Sequence, residues 1–170
     1  DRAGAVCKFC DTNFVGTNGP GGGRFDTAEA LALAVAAYWP DKSRAYVVCT
    51  GGEPLLQLDK ELIDQLHSLD CEVAIETNGT IAAPAGVDWI CVSPKSTAKL
   101  VQTEGDELKL VFPQRDAPPD RFEGLAFDHF FLQPMAGDDL ARATELAIDY
   151  CKKRPKWRLS LQTHKFLAIR

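Results

Sequence analysis

The sequence predicts an α/β fold with a largely parallel sheet, open rather than closed. Two observations carry this. Short apolar runs alternate with amphipathic helical stretches, the pattern of parallel strands joined by crossover helices. The strands are also too few to close an eight-stranded barrel, so a partial (β/α) barrel is expected. A third feature points to function. Polar and glycine-rich clusters follow most of the strands, and in parallel α/β folds the carboxyl ends of strands form the ligand-binding rim.

The elements follow in order. Cys7-Lys8-Phe9-Cys10-Asp11-Thr12 opens the chain with two thiols three positions apart. Thiolates at this spacing ligate zinc or an iron–sulfur cluster, or form a redox disulfide. Gly16 to Gly23 reads as a loop. Asp26, with Glu29 three positions on, reads as an N-cap for a helix over Ala28 to Tyr38, stopped by Pro40. Ala45 to Cys49 is a first strand. Leu58 to Leu69 is a helix with Leu58, Leu62, Ile63, Leu66 and Leu69 on one face. Strands follow at Glu72 to Ile75, Trp89 to Val92, Glu107 to Phe112 and His129 to Leu132. Gln114 to Gly124 is a linker, with room for a helical turn at Asp120 to Phe122. Asp139 to Lys153 is a helix whose inner side carries Leu140, Ala143, Leu146, Ala147 and Tyr150. Arg158 to Leu161 is the last strand.

Composition narrows the class. The 170 residues suggest a single domain over 1–170. A chain of this size buries roughly 70% of its unfolded surface and needs no staple. Basic residues number 19 and acidic ones 24, a net charge of −5, which argues against non-specific nucleic-acid or anionic-membrane binding. No apolar run reaches the roughly 20 residues of a membrane span. Six cysteines are present, and Cys49, Cys71, Cys91 and Cys151 lie in or beside strands and helices, where buried thiols are expected. A reduced, cytoplasmic setting fits this usage.

The clusters after the strands are Thr50-Gly51-Gly52-Glu53-Pro54, Glu76-Thr77-Asn78-Gly79, Ser93-Pro94-Lys95, Gln133-Pro134-Met135 and Gln162-Thr163-His164-Lys165. Each alone could be a turn or a cap; together they describe the mouth of a polar pocket. In the first, two glycines allow close approach to the backbone, and Glu53 offers an acceptor for an ammonium group. The competing structural reading is a tight turn with Pro54 near the first position of a helix. Of the histidines, His67 reads as solvated on its helix, His129 as a satisfied strand residue, and His164 as the candidate for function.

Cys7-x-x-Cys10 ahead of a βα series with Gly51-Gly52-Glu53-Pro54 resembles the radical S-adenosylmethionine (SAM) superfamily. More narrowly, Cys7 to Thr12, Val48 to Leu55, Ile75 to Gly79, Asp88 to Lys95, Glu107 to Pro113, Gln133 to Met135 and Trp157 to Lys165 resemble the 7-carboxy-7-deazaguanine synthase (QueE) family. The resemblance implies a partial, open (β/α) barrel of the radical SAM type. It implies a carbon–nitrogen lyase that converts 6-carboxy-5,6,7,8-tetrahydropterin to 7-carboxy-7-deazaguanine, on the way to queuosine in tRNA. A 4Fe–4S cluster, SAM and Mg²⁺ are the implied cofactors. The implied partners are the pterin substrate, a reductant such as flavodoxin or ferredoxin, and a second copy in a homodimer.

Position by position, the resemblance implies cluster ligands at Cys7 and Cys10 and a Mg²⁺ ligand at Thr12. It implies SAM contacts at Gly52, Glu53, Ser93, Pro94, Lys95, Gln133, Pro134, Met135 and Ala136. Substrate contacts are implied at Thr50, Glu76, Asn78, His164 and Arg170. The family has three cluster cysteines and this motif holds two. The first, with a strand and a substrate loop, is expected upstream of Asp1, so the chain reads as lacking its N-terminal strand region. Ala136 stands where a polar side chain is familiar. Three other readings remain open: a radical SAM activating enzyme acting on a protein, a zinc-binding module built on Cys7 and Cys10, and an inert, purely structural piece.

Overall fold

The computed structural model describes residues 16, 19, 21–39, 43–96 and 98–169. The described residues divide into two compact units. The first runs to Thr77 and takes in Ile81–Ile90; the second consists of Asn78–Thr80 and the chain from Cys91 onward.

In the first unit, helix α1 (Ala28–Ala36) is followed by strand β1 (Ala45–Cys49), helix α2 (Lys60–Ser68) and strand β2 (Cys71–Thr77). The N-cap of α1 is Thr27, not Asp26: its Oγ1 accepts from Ala30 N at 3.1 Å. The helix stops earlier than its composition suggests. Tyr38 N and Trp39 N bond to the carbonyls three residues back, which tightens and ends the last turn. Asp59 caps α2 by accepting from Leu62 N at 2.9 Å.

Strands β1 and β2 pair in parallel, Ala45 opposite Cys71 through Cys49 opposite Ile75. Ala45, Cys71, Val73 and Ile75 bury one face against Ala32, Leu58, Ile63 and Leu66. Fully burying Ile63 and Leu66 contributes about 1.5–3 kcal/mol each. Leu69 was expected on this face, but the helix ends at Ser68 and Leu69 is exposed.

His67 is engaged rather than simply solvated. Its Nε2 lies 2.8 Å from Asp88 Oδ2, which also accepts from Val73 N at 2.7 Å. Asp88 N in turn donates to Val73 O at 2.8 Å. This carboxylate therefore ties the end of α2 and the strand β2 to the segment entering β3 (Trp89–Val92).

The second unit begins within β3 and holds β4 (Glu104–Phe112), β5 (Ala126–Pro134), helix α3 (Leu140–Lys153), β6 (Trp157–Leu159) and a single helical turn, α4 (Thr163–Phe166). All its strand pairings are parallel: Cys91 opposite Glu107, Glu104 opposite Ala126 through Phe112 opposite Pro134, and Phe130 opposite Trp157. Leu108, Leu110 and Leu132 are fully buried. Trp157 packs edge-on against Phe130 at 5.3 Å between centroids, and its Nε1 donates to Glu123 Oε1 at 3.0 Å. Ala143 and Ala147 are the buried positions of α3, while Leu140 in its first turn is exposed, contrary to expectation.

β4 and β5 are longer than their apolar runs predict. Glu104 and Gly105 join the ladder through Ala126 and Phe127, and Gln133 and Pro134 remain within β5. Pro134 is tolerated because it is the last residue of the strand, where a missing N–H costs no further rung. The linker turn falls at Pro119–Arg121, one residue earlier than expected. Six strands among the described residues fall short of the eight of a closed barrel, so the fold is α/β, parallel and open, as predicted.

Candidate functional site

Cys7, Cys10, Thr12 and Arg170 lie outside the described residues. The remaining candidate positions fall at or near the carboxyl ends of strands, in each unit separately.

In the first unit, Thr50, Gly51 and Gly52 follow β1 directly and are exposed. Gly51 has φ +125°, and no atom of a described residue lies within 4 Å of the place a Cβ would occupy. The backbone there is bare and open to a ligand. Glu53 is half-buried and caps a 3-10 turn at Pro54–Leu56, its Oε1 accepting from Leu55 N at 3.1 Å. Pro54 is the first residue of that turn, so the structural reading of the segment also holds. The same Oε1 accepts from Thr77 Oγ1 at 2.7 Å. Glu76 is not beyond β2, as the apolar run implies, but its penultimate residue, half-buried beside Thr77.

In the second unit, Asn78 Oδ1 accepts from Thr80 N at 2.8 Å. Gly79, at φ +77°, accepts through its carbonyl from Val101 N at 2.7 Å and Gln102 N at 3.0 Å. Ser93, Pro94 and Lys95 follow β3. Lys95 Nζ donates back to Ser93 O at 2.8 Å and to Ser93 Oγ, which folds the segment on itself. Gln114 braces it from the linker. Ser96 N donates to Gln114 Oε1 at 2.9 Å, and Gln114 Nε2 donates to Val111 O at 2.9 Å and Pro94 O at 3.3 Å. Gln114 is buried and was read from sequence only as linker.

Gln133 and Pro134 close β5; Met135, half-buried, donates its N–H to Phe112 O at 2.8 Å, and Ala136 follows it half-buried. His164 follows the last strand, as the sequence predicts, and is exposed in the helical turn α4.

The described cysteines are all free thiols in regular elements: Cys49 in β1, Cys71 in β2, Cys91 in β3 and Cys151 in α3. Burial pushes the thiols of Cys49, Cys71 and Cys151 upward, with the Asp70 carboxylate adding to the effect at Cys71. A cluster ligand must be a thiolate, so these side chains suit packing and not iron.

Parallel α/β architecture and a glycine–glycine–glutamate turn at the end of a strand, together with the C-x-x-C motif in the sequence, define a radical SAM protein. The Radical SAM superfamily model matches residues 4–106. A 7-carboxy-7-deazaguanine synthase from Caulobacter vibrioides is 61% identical over 99% of this chain and 81% of its own length. One from Bradyrhizobium diazoefficiens is 60% identical over the whole chain and 81% of its own length. The crystal structure of QueE from Escherichia coli superposes with a TM-score of 0.64 at 33% identity, over 80% of this chain and 63% of that one. The chain belongs to the 7-carboxy-7-deazaguanine synthase family of the radical SAM superfamily.

Proposed function

We propose that the chain is a 7-carboxy-7-deazaguanine synthase, a radical SAM lyase that converts 6-carboxy-5,6,7,8-tetrahydropterin to 7-carboxy-7-deazaguanine for queuosine biosynthesis. The observation that carries this is the 61% identity to a synthase of that name across 99% of the chain. We propose further that it acts as one radical SAM-type domain, in the cytoplasm and as a homodimer, with flavodoxin or ferredoxin as reductant. No described helix is long and apolar enough to cross a membrane.

The residues fit the implied groups chemically. Cys7 and Cys10 supply soft thiolates for iron, two of the three cysteines that such a cluster takes from the family. Thr12 supplies a hard hydroxyl oxygen, suited to a Mg²⁺ ion that keeps most of its ligands as water and substrate oxygens. The bare backbone at Gly51 and the anchored Glu53 carboxylate suit a ligand that carries an ammonium group. A reduced 4Fe–4S cluster, when bound, supplies the electron that cleaves SAM into methionine and the 5′-deoxyadenosyl radical.

The chain's own work is binding and orientation. Glu53 accepts from the methionine ammonium of SAM, and Gly52 keeps the approach clear of side chains. Ser93, Pro94 and Lys95, folded back on themselves and braced by Gln114, are further residues assigned to SAM, as are Gln133, Pro134, Met135 and Ala136 at the end of β5. Thr50, Glu76, Asn78, His164 and Arg170 are the residues assigned to the pterin, and Thr12 is the residue that would hold Mg²⁺. Holding reactants in register in this way converts a bimolecular encounter into an effectively unimolecular step.

The test is anaerobic reconstitution with iron and sulfide, iron counting, and measurement of 5′-deoxyadenosine and of the deazaguanine product after reduction with SAM and pterin. The 170-residue chain is run beside a form extended upstream through the third cysteine. Product from the extended form is the expected result. 5′-Deoxyadenosine without deazaguanine would favour a different radical SAM substrate, such as a protein. Zinc in place of iron in both forms would overturn the assignment.

A further inference from the structure

Thr77 and Gln114 are the two buried polar side chains among the described residues. Gln114 braces backbone. Thr77 does something different: its hydroxyl, 1% exposed, donates to a carboxylate 24 positions away, Glu53 Oε1, at 2.7 Å. A buried hydroxyl needs a partner, and a charged acceptor makes the bond about twice as strong as a neutral one.

Capping the 3-10 turn at Pro54–Leu56 needs only the bond from Leu55 N to Glu53 Oε1. The second donor on the same oxygen comes from the last residue of β2. It joins the turn that follows β1 to the end of the neighbouring parallel strand. Two donors at one oxygen, from two different elements, restrict the rotamer of the Glu53 side chain and the tilt of its carboxylate plane.

We infer that Thr77 is a positioning residue. It holds the Glu53 carboxylate in the orientation that receives a primary ammonium group, that of the methionine moiety of SAM. This assignment rests on the SAM chemistry proposed above. Thr77 acts through Glu53 and takes no part in the reaction.

The test uses the full-length reconstituted enzyme and its Thr77→Val and Thr77→Ser variants. Equilibrium affinities are measured for SAM and for 5′-methylthioadenosine, which keeps the nucleoside and lacks the amino acid. Thr77→Val preserves shape and removes the donor. It is expected to weaken SAM binding about tenfold, the lower end of what a hydrogen bond to a charged group contributes, and to leave methylthioadenosine binding unchanged. Thr77→Ser restores the hydroxyl and is expected to bind SAM within about threefold of wild type, a rescue well inside that tenfold span. In a Glu53→Gln background, Thr77→Val should add little further loss, because the group it orients is gone.

Equal weakening of both ligands by Thr77→Val would reduce the residue to a structural role and overturn the inference. So would SAM affinity unchanged in Thr77→Val while wild type binds SAM normally. Wild-type enzyme that takes up a cluster and fails to bind SAM would overturn the SAM chemistry itself, a result separate from the other two.

Discussion

Replacing Gly79 by Ala should destabilise the second unit and disturb Asn78, a residue proposed to contact the substrate. Gly79 sits at φ +77°, in the left-handed region. A Cβ at that position would lie 2.5 Å from Leu100 Cδ1 and 2.7 Å from Val92 Cγ1. Both distances are inside van der Waals contact, and Val92 is fully buried, so it has little room to withdraw. The left-handed backbone costs a non-glycine residue about 1–2 kcal/mol. Overpacking of a well-filled core adds about 1–3 kcal/mol. Against this, Ala lowers the entropy of the unfolded chain, which returns about 0.4–1 kcal/mol. The balance is a loss of about 1–5 kcal/mol, a large share of the roughly 5–15 kcal/mol by which domains are stable.

The assay is urea denaturation followed by circular dichroism, with an unchanged m-value required for the comparison. Gly124→Ala is the control. No atom of a described residue lies within 4 Å of its Cβ position, so its stability should stay within about 0.5 kcal/mol of wild type. Because the Gly79 carbonyl receives both Val101 N and Gln102 N, a shift at Gly79 should also move Asn78. A rise in KM for the pterin is therefore expected alongside the stability loss. A Gly79→Ala protein as stable as the Gly124→Ala control would refute the packing argument.

Three further outcomes are expected. At Asp88, burial pushes the carboxyl upward, but the bonds from Val73 N and His67 and the His67 and Arg44 charges outweigh it and hold the group below the ordinary range. Its contribution to stability is then fully present above the unfolded Asp value near 3.9 and is lost as pH falls through the lower folded value. Asp88→Ala should cost about 1–3 kcal/mol at pH 7 by leaving Val73 N–H unpaired, and its stability difference from wild type should shrink in acid denaturation below about pH 4; a difference constant down to pH 2 would argue against a native carboxylate at this position. In cluster-free protein, iodoacetamide at neutral pH should label Cys7 and Cys10 before Cys49, Cys71 and Cys151, whose thiols burial pushes upward; mass mapping that finds Cys49 modified first would contradict this order. Thr12→Ala should flatten the Mg²⁺ dependence of deazaguanine formation while leaving 5′-deoxyadenosine formation in place, and an unaltered Mg²⁺ titration would remove Thr12 from its role.

The element pattern was legible because it is local. The β1 and β3 boundaries follow directly from short apolar runs, and the inner faces of α2 and α3 from their helical spacing, apart from Leu69 and Leu140 at the helix ends. The errors arose where partners outside the segment decide. The strand expected at Glu107 to Phe112 begins earlier, because β5 offers Glu104 and Gly105 a ladder and the strand extends through them. Thr27 displaced Asp26 as N-cap because capping depends on which oxygen meets the free N–H groups of the first turn, a matter of one dihedral setting.

The same division runs through the site. Chemistry that resides in residue type and close spacing is written in the sequence: thiols at Cys7 and Cys10, a bare backbone at Gly51-Gly52, a carboxylate at Glu53. What orients those groups is not. Thr77 and Glu53 stand 24 positions apart, Gln114 and Ser96 stand 18 apart, and Glu123 and Trp157 stand 34 apart. A hydrogen bond between such residues leaves no periodic trace, because a buried donor takes whichever acceptor packing brings within 3 Å. Sequence determined which groups this protein can bring to a ligand; the parallel pairing of β1 with β2 and of β4 with β5 decided which of them are held still.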